Sequence, residues 1–268
     1  MDEYNKISRW VEDLPKRGKV TFSKEEVIRQ FPNMTNLNIN NMLYRLALKK
    51  KVQSVWRSFF MVVLTKYGLR GVVPPIEYID QLMRFLGKNY YVSLQSAAAL
   101  QGASHQQPQE LMVMTDSGIL RDKIKKETKI NFVTKKNIPT QYIKQIMTDN
   151  GYINISIPEL TAFDIVIYAK NVGGINRVAT ILNELAEFID FKNIDIKLFD
   201  IAIIQRLGYL LDVLGYENLA NTLYQKSNCL GIRFRKYPLT VAPIINFAKY
   251  PVDKKWKIII NEEIEVDE

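Results

Sequence analysis

The chain has 268 residues, 47% of them hydrophobic, enough to bury a sizeable core without disulfide or metal staples. No apolar run approaches the ~20 residues that span a bilayer, and the acidic, polar start at Asp2 and Glu3 is unlike a signal peptide, so the expectation is a soluble cytoplasmic protein. The net charge of +9 is unevenly spread: residues 1–75 carry 14 Lys+Arg against 6 Asp+Glu, a net of +8, and residues 76–268 carry 23 against 22, a net of +1. Excess charge confined to one end is the electrostatic footprint of phosphate contact, where release of condensed counterions drives binding.

Residues 3–14 read as a first helix, with Ile7, Trp10, Val11 and Leu14 on one stripe and a break at Pro15 to Gly18. Val20, Thr21 and Phe22 form a short extended run. Ser23 caps a second helix, Glu26 completes a capping box, Val27, Ile28 and Phe31 face inward, and Pro32 ends it. A third helix starts near Thr35 with Ile39, Met42, Leu43, Leu46 and Ala47 on its core face and Asn41, Tyr44, Arg45 and Leu48 on the other. Lys49, Lys50 and Lys51 follow, then two strands, Val52–Val55 and Phe59–Val63, meeting through Trp56, Arg57 and Ser58. This order predicts a winged helix-turn-helix, whose second helix of the pair enters the major groove of double-stranded DNA.

Asn38, Asn40, Asn41, Tyr44 and Arg45 are then the side chains placed to reach bases or phosphates. Asparagine pairs with adenine and arginine with guanine through two hydrogen bonds, and several asparagines in one helix run against helix propensity. Lys49, Lys50, Lys51 and Arg57 read as phosphate contacts that position the helix. Trp56 suits either a wedge against sugar or packing on the wing.

The stretch Thr65–Pro75, with Gly68, Gly71 and Pro74-Pro75, reads as a linker. It divides the chain into a DNA-binding domain, residues 1–73, and a larger mixed α/β domain, residues 74–268, for an α+β protein overall. In the second part Ile76–Leu86 reads as a helix, Tyr90–Leu94 as a short strand or an extended entry, and an Ala-rich helix runs to Leu100. Leu111–Met114, Ile130–Val133 and Ile153–Ile157 read as strands. Helices are expected over Thr161–Tyr168, Arg177–Ile189, Asp200–Gly215 and Tyr216–Gln225, and strands near Val241 and over Ile258–Ile260.

Four blocks carry a family resemblance: SAAALQGASHQQPQ from Ser96, PELTAFDIVIY from Pro158, GGINRVATILNEL from Gly173 and QRLGYLLD from Gln205. In order and approximate spacing they resemble the AbiEi antitoxins of type IV toxin-antitoxin systems, transcriptional regulators tied to abortive phage infection. The resemblance implies that the N-terminal winged helix binds inverted repeats in its own promoter and represses the operon. It also implies that the C-terminal domain counters a nucleotidyltransferase-like toxin without requiring a stable complex, and that the protein is not an enzyme and needs no cofactor.

Outside these blocks the chemistry is sparse. Cys229, the single cysteine, excludes an internal disulfide and reads as a small core residue. His105, the only histidine, excludes a multi-histidine metal site and reads as part of a polar turn. Gly173-Gly174 reads as a turn rather than a phosphate loop, and Gln205 and Arg206 as internal partners of groups such as Asp164 or Glu184. The alternative function is an enzyme, a nuclease-like C-terminal domain gathering Asp164, Glu159 and Lys170 around a metal. Helical spacing of about 600° between Asp164 and Lys170 argues against it. A pure protein-interaction module would leave the N-terminal charge without a purpose.

Overall fold

A computed structural model describes residues 3–69, 71–103, 110–116, 118, 120, 123–125, 128–241 and 246–265. It is a mixed α/β structure of two compact units: residues 1–91, 109–138 and 145–154 form the first, and 92–108, 139–144 and 155–268 the second.

The first unit opens with α1 (Glu3–Asp13), β1 (Thr21–Ser23), α2 (Lys24–Gln30), α3 (Asn36–Leu48), β2 (Val52–Trp56) and β3 (Phe59–Val62). After α1 a 3-10 turn over Pro15–Arg17 closes on Gly18, whose φ of +72° is the left-handed conformation glycine adopts without penalty. At the start of α2 the expected capping box is present: the Ser23 hydroxyl accepts the Glu26 N–H and the Glu26 carboxylate accepts the Ser23 N–H, both at 3.2 Å. Phe31, ahead of Pro32, takes an extended φ of −128° and ends that helix. Thr35 caps α3 by accepting the Asn38 N–H at 3.2 Å.

The three strands form an antiparallel sheet in the order β1-β3-β2, with Phe22 opposite Phe60 and Gln53 opposite Met61. Helices and sheet enclose one core drawn from residues 7–62, in which Ile7, Val11, Leu14, Phe22, Val27, Ile39, Met42, Leu43, Leu46, Val52 and Val62 are buried. Trp10 meets Phe22 edge-on at 5.4 Å, and Phe22 stacks on Phe60 at 5.4 Å.

The first unit continues past residue 73, where the sequence suggests a boundary. Val73 donates its N–H to the buried Gln53 Oε1 at 2.6 Å, and Phe85 stacks on Phe59 at 4.9 Å. The helix expected over 76–86 is shorter: a 3-10 turn covers Pro75–Glu77, Tyr78 breaks it with φ −137° and ψ 0°, and α4 spans Ile79–Phe85. A six-stranded sheet follows, built from β4 (Tyr90–Val92), β5 (Glu110–Thr115), β6 (Lys123–Lys125), β7 (Thr128–Thr134), β8 (Ile143–Thr148) and β9 (Gly151–Ser156), in the order β6-β7-β5-β4-β9-β8. The central β5 is buried from Leu111 to Thr115 and pairs parallel with β7, as its nearly continuous apolar run requires.

The second unit is mainly helical: α5 (Leu94–Leu100), α6 (Pro158–Ile167), α7 (Ala169–Val172), α8 (Ile175–Leu185), α9 (Ile201–Val213) and α10 (Glu217–Cys229), with a parallel pair β10 (Tyr237–Pro238) and β11 (Ile258–Ile259). Eight consecutive residues of α6, Glu159 to Val166, are buried, and Phe163 stacks on Phe199 at 3.7 Å. The strand expected near Val241 lies earlier, at Tyr237–Pro238. Cys229 departs from the core position expected of it, because it is exposed. The core face of α10 carries Ala220, Leu223 and Ser227, and two residues past Ser227 is about 200° around the helix.

The capping box makes a direct prediction. Replacing Ser23 by Ala removes the acceptor for the Glu26 N–H and should lower stability by about 1 kcal/mol in a urea titration, whereas Ser23→Asp should retain most of it.

Candidate functional site

The solvent side of α3 is the most distinctive surface of the first unit. Burial of Ile39, Met42, Leu43 and Leu46 fixes the rotation of the helix about its axis. That leaves Asn36, Leu37, Asn38, Asn40, Asn41, Tyr44, Arg45 and Leu48 exposed. Of the residues expected from sequence, Asn38, Asn40, Asn41, Tyr44 and Arg45 therefore share one exposed surface. Sequence reading passes over Leu37, which stands 68% exposed, with Tyr44 at 66% and Leu48 at 65%. Its signal lies in the spacing, since residues seven and eleven apart fall on the same side of a helix.

The basic residues beyond α3 divide into two groups. Lys49, Lys50 and, at the β2–β3 turn, Arg57 are exposed. Lys50 takes a left-handed φ of +55°, and its stem lies so close to Gly71 that a Cβ there would stand 2.6 Å from Lys50 Cδ. Gly71 thus leaves room for the lysine stem, and Tyr44, Leu48, Lys50, Gln53 and Gly71 line a cavity of about 230 Å³. Lys51, in contrast, points back to α1, its ammonium 2.5 Å from the Glu12 carboxylate and 3.2 Å from the Ser8 hydroxyl. The Lys51 hydrogen bond holds the Glu12 carboxyl below its ordinary pKa. Trp56 is half-buried and meets Phe132 of β7 edge-on at 5.9 Å.

In the second unit the QRLGYLLD block forms a seat for one distant side chain. Gln205, Gly208 and Asp212 are spaced i, i+3, i+7 on one face of α9. Trp256 is fully buried against that face. Its indole Nε1 donates to Asp212 Oδ2 at 2.6 Å, and its carbonyl accepts from Gln205 Nε2, which also donates to the Arg235 carbonyl at 2.7 Å. Gly208 is required sterically, because a Cβ there would lie 2.2 Å from the indole ring. Lys255 adds an ion pair to Asp212 at 2.8 Å. These contacts correct the partners expected for Gln205 and Arg206: Gln205 bonds the backbone of Arg235 and Trp256 rather than Asp164 or Glu184, and Arg206 Nε donates to the Pro238 carbonyl at 3.0 Å. Burial pulls the Arg206 pKa below its ordinary value. Sequence alone does not pair the block with Trp256, which lies 44 residues beyond Asp212.

The remaining candidates do not converge. Glu159 accepts the Asp190 N–H at 2.7 Å, Asp164 is fully buried and Lys170 is exposed. Among the described residues no group of three His, Cys, Asp or Glu side chains is placed to hold a metal. Gly173 and Gly174, with φ of +112° and +102°, form the turn between α7 and α8. His105 lies outside the described residues.

Residues 90–213 match the model of the AbiEi antitoxin C-terminal domain. This domain is of the toxin-antitoxin class, a regulatory rather than enzymatic kind of protein, and no helix among the described residues is long and apolar enough to cross a membrane. Residues 90–213 thus carry an AbiEi antitoxin domain, and all four sequence blocks fall within the matched residues. The fold as a whole is similar to the crystal structure of the RV2827C protein from Mycobacterium tuberculosis, with a TM-score of 0.64 over 97% of this chain and 92% of that one, at 14% identity. That similarity is one of fold. No curated protein sequence matches the chain significantly.

The Trp256 seat predicts that Gly208→Ala forces the indole out of place and destabilises the second unit by about 1–3 kcal/mol or more. Thermal unfolding followed by tryptophan fluorescence should report it. A Tm within a degree of wild type would show that the seat can relax around the extra methyl.

Proposed function

We propose that the protein is the DNA-binding antitoxin of a type IV toxin-antitoxin system, acting in the cytoplasm without catalysis. Residues 1–73 are read as a winged helix-turn-helix, with α2 and α3 as its helix pair and the β2–β3 hairpin as its wing. In this reading α3 enters the major groove of inverted repeats in the promoter of the protein's own operon. Asn38, Asn40, Asn41, Tyr44 and Arg45 face the bases, Lys49, Lys50 and Arg57 hold the phosphates, Lys51 braces α3 against α1, and Trp56 packs against Phe132 of β7. Residues 74–268, which include the AbiEi domain, counter a nucleotidyltransferase-like toxin, and a stable complex between the two is not required.

The observation that carries the DNA-binding half is the split of α3 into a buried apolar face and an exposed face rich in asparagine, next to exposed Lys49, Lys50 and Arg57. The same residues at the surface of a purely structural helix would lower helix propensity for no gain. The antitoxin half is supported by the family of residues 90–213.

Gel-shift titration against the upstream DNA of the operon tests this reading. Asn41→Ala/Arg45→Ala should abolish preference for the cognate DNA while leaving weak, sequence-independent binding. Lys49→Glu/Lys50→Glu/Arg57→Glu should weaken binding to all DNA and flatten the salt dependence by roughly 0.9 in log–log slope for each phosphate that is no longer neutralised. Unchanged affinity in both variants would sink the assignment of this surface.

A further inference from the structure

The centre of the exposed face of α3 is apolar. At about 100° per residue, Tyr44, Leu37, Leu48 and Asn41 fall within about 60° of one another, and Asn40 and Arg45 flank them. Leu37, Tyr44 and Leu48 are each about two-thirds exposed, and they form a stripe roughly 16 Å long on a helix whose opposite side is fully committed to the core. Apolar side chains aligned in this way on a solvent-facing helix signal a contact surface rather than chance exposure.

The surroundings identify the partner. From Val27 to Ile76 the sequence contains no Asp or Glu, while Arg29, Arg45, Lys49, Lys50, Lys51, Arg57, Lys66 and Arg70 all lie in that stretch. A second copy of the chain would bring the same basic surface against itself, a like-charge encounter that is unfavourable. A polyanion is complementary. On the major-groove edge of DNA an apolar side chain has one specific partner, the C5 methyl of thymine, and asparagine has adenine. Guanine is best read by arginine, and α3 exposes a single one, Arg45.

Resting on the DNA-binding reading above, we propose that α3 is a reader of A·T pairs: Leu37, Tyr44 and Leu48 pack on thymine methyls, and asparagines of the same face pair with the adenines. The half-sites are then A·T-rich, with guanine confined to the position under Arg45. The apolar stripe determines specificity, and the basic residues around it supply sequence-independent affinity.

The test is selection of binding sites by the full-length protein from a library of random duplexes, followed by titration of the winning duplex with thymine or with uracil, which lacks only the methyl. A·T-rich half-sites are expected, and uracil should weaken binding on the order of four-fold for each methyl that the stripe covers. In Leu37→Ser/Leu48→Ser, which alters only exposed positions, thymine and uracil duplexes should bind alike with the salt dependence of wild type. Specific selection of G·C-rich sites, or wild-type indifference to uracil, would overturn the inference and leave DNA binding standing. A change of oligomeric state in the Leu variant, with thymine discrimination intact, would overturn it by making the stripe a protein interface. Selection of no sequence at all would remove the inference together with the DNA-binding reading.

Discussion

Everything distinctive about the first unit depends on how α3 is held. Ile39, Met42, Leu43 and Leu46 sit in a core that also contains Ile7 and Val11 of α1, Val27 of α2 and Val52 and Val62 of the hairpin. A helix gripped on one side by four side chains from three turns cannot rotate about its axis without emptying that core, at a cost of several kcal/mol. The outward direction of Asn41, Tyr44 and Arg45 is therefore as fixed as the core itself. The surface chemistry of α3 follows from apolar packing on its reverse side. The residues that hold it and the residues it displays are interleaved in one thirteen-residue segment.

The second unit is stabilised by a different device. Its C-terminal segment returns to α9 and inserts Trp256 over Gly208, with Gln205 and Asp212 satisfying the backbone and indole groups that burial would otherwise leave without partners. A large aromatic side chain brings both apolar area and a polar N–H that must be matched. The helix supplies a small residue where the ring lies and hydrogen-bonding residues at either end. Tyr224 and Phe234 complete the aromatic surround, at ring distances of 5.6 and 5.5 Å. In the family block QRLGYLLD, Gln205, Gly208 and Asp212 thus serve this internal contact and Arg206 bonds the Pro238 carbonyl, which explains an otherwise odd set of residues inside an apolar helix without assigning them to a partner.

How far the sequence reveals the structure differs between the two units. In the first, local signals suffice: Ser23 with Glu26 marks a helix start, Pro32 an end, and the 3.6-residue period divides α3 into its two faces. In the six-stranded sheet the same reasoning finds β4, β5, β7 and β9 from their apolar runs, and it misses β6 and β8. The six residues of β8, Ile143–Thr148, are exposed or half-buried and carry no alternation strong enough to read. Cys229 reads as a core residue only while its type is weighed without the azimuth of α10. The partners of Gln205 and Arg206 come from segments 30 to 51 residues away, a separation that no periodicity encodes. Local pattern thus exposes the candidate surface on α3, while the reason for the C-terminal motif emerges only from the folded chain.

The charge distribution ties α3 and the hairpin together. Several N-terminal lysines face carboxylates: Lys16 pairs with Asp13, Lys19 with Glu26, Lys51 with Glu12 and Lys66 with Asp149. Such exposed pairs contribute little to stability, but each offsets a positive charge at its own location. No ion pair of this kind involves Arg45, Lys50 or Arg57 among the described residues. Arg45, Lys50 and Arg57 therefore leave positive charge without a carboxylate partner among those residues at the end of α3 and the turn of the hairpin. On the DNA-binding reading proposed above, a field so placed would orient an approaching polyanion toward α3 before any base is touched. On the same reading the asparagines and apolar side chains of that face would act at contact distance, where only short-range complementarity can distinguish one sequence from another.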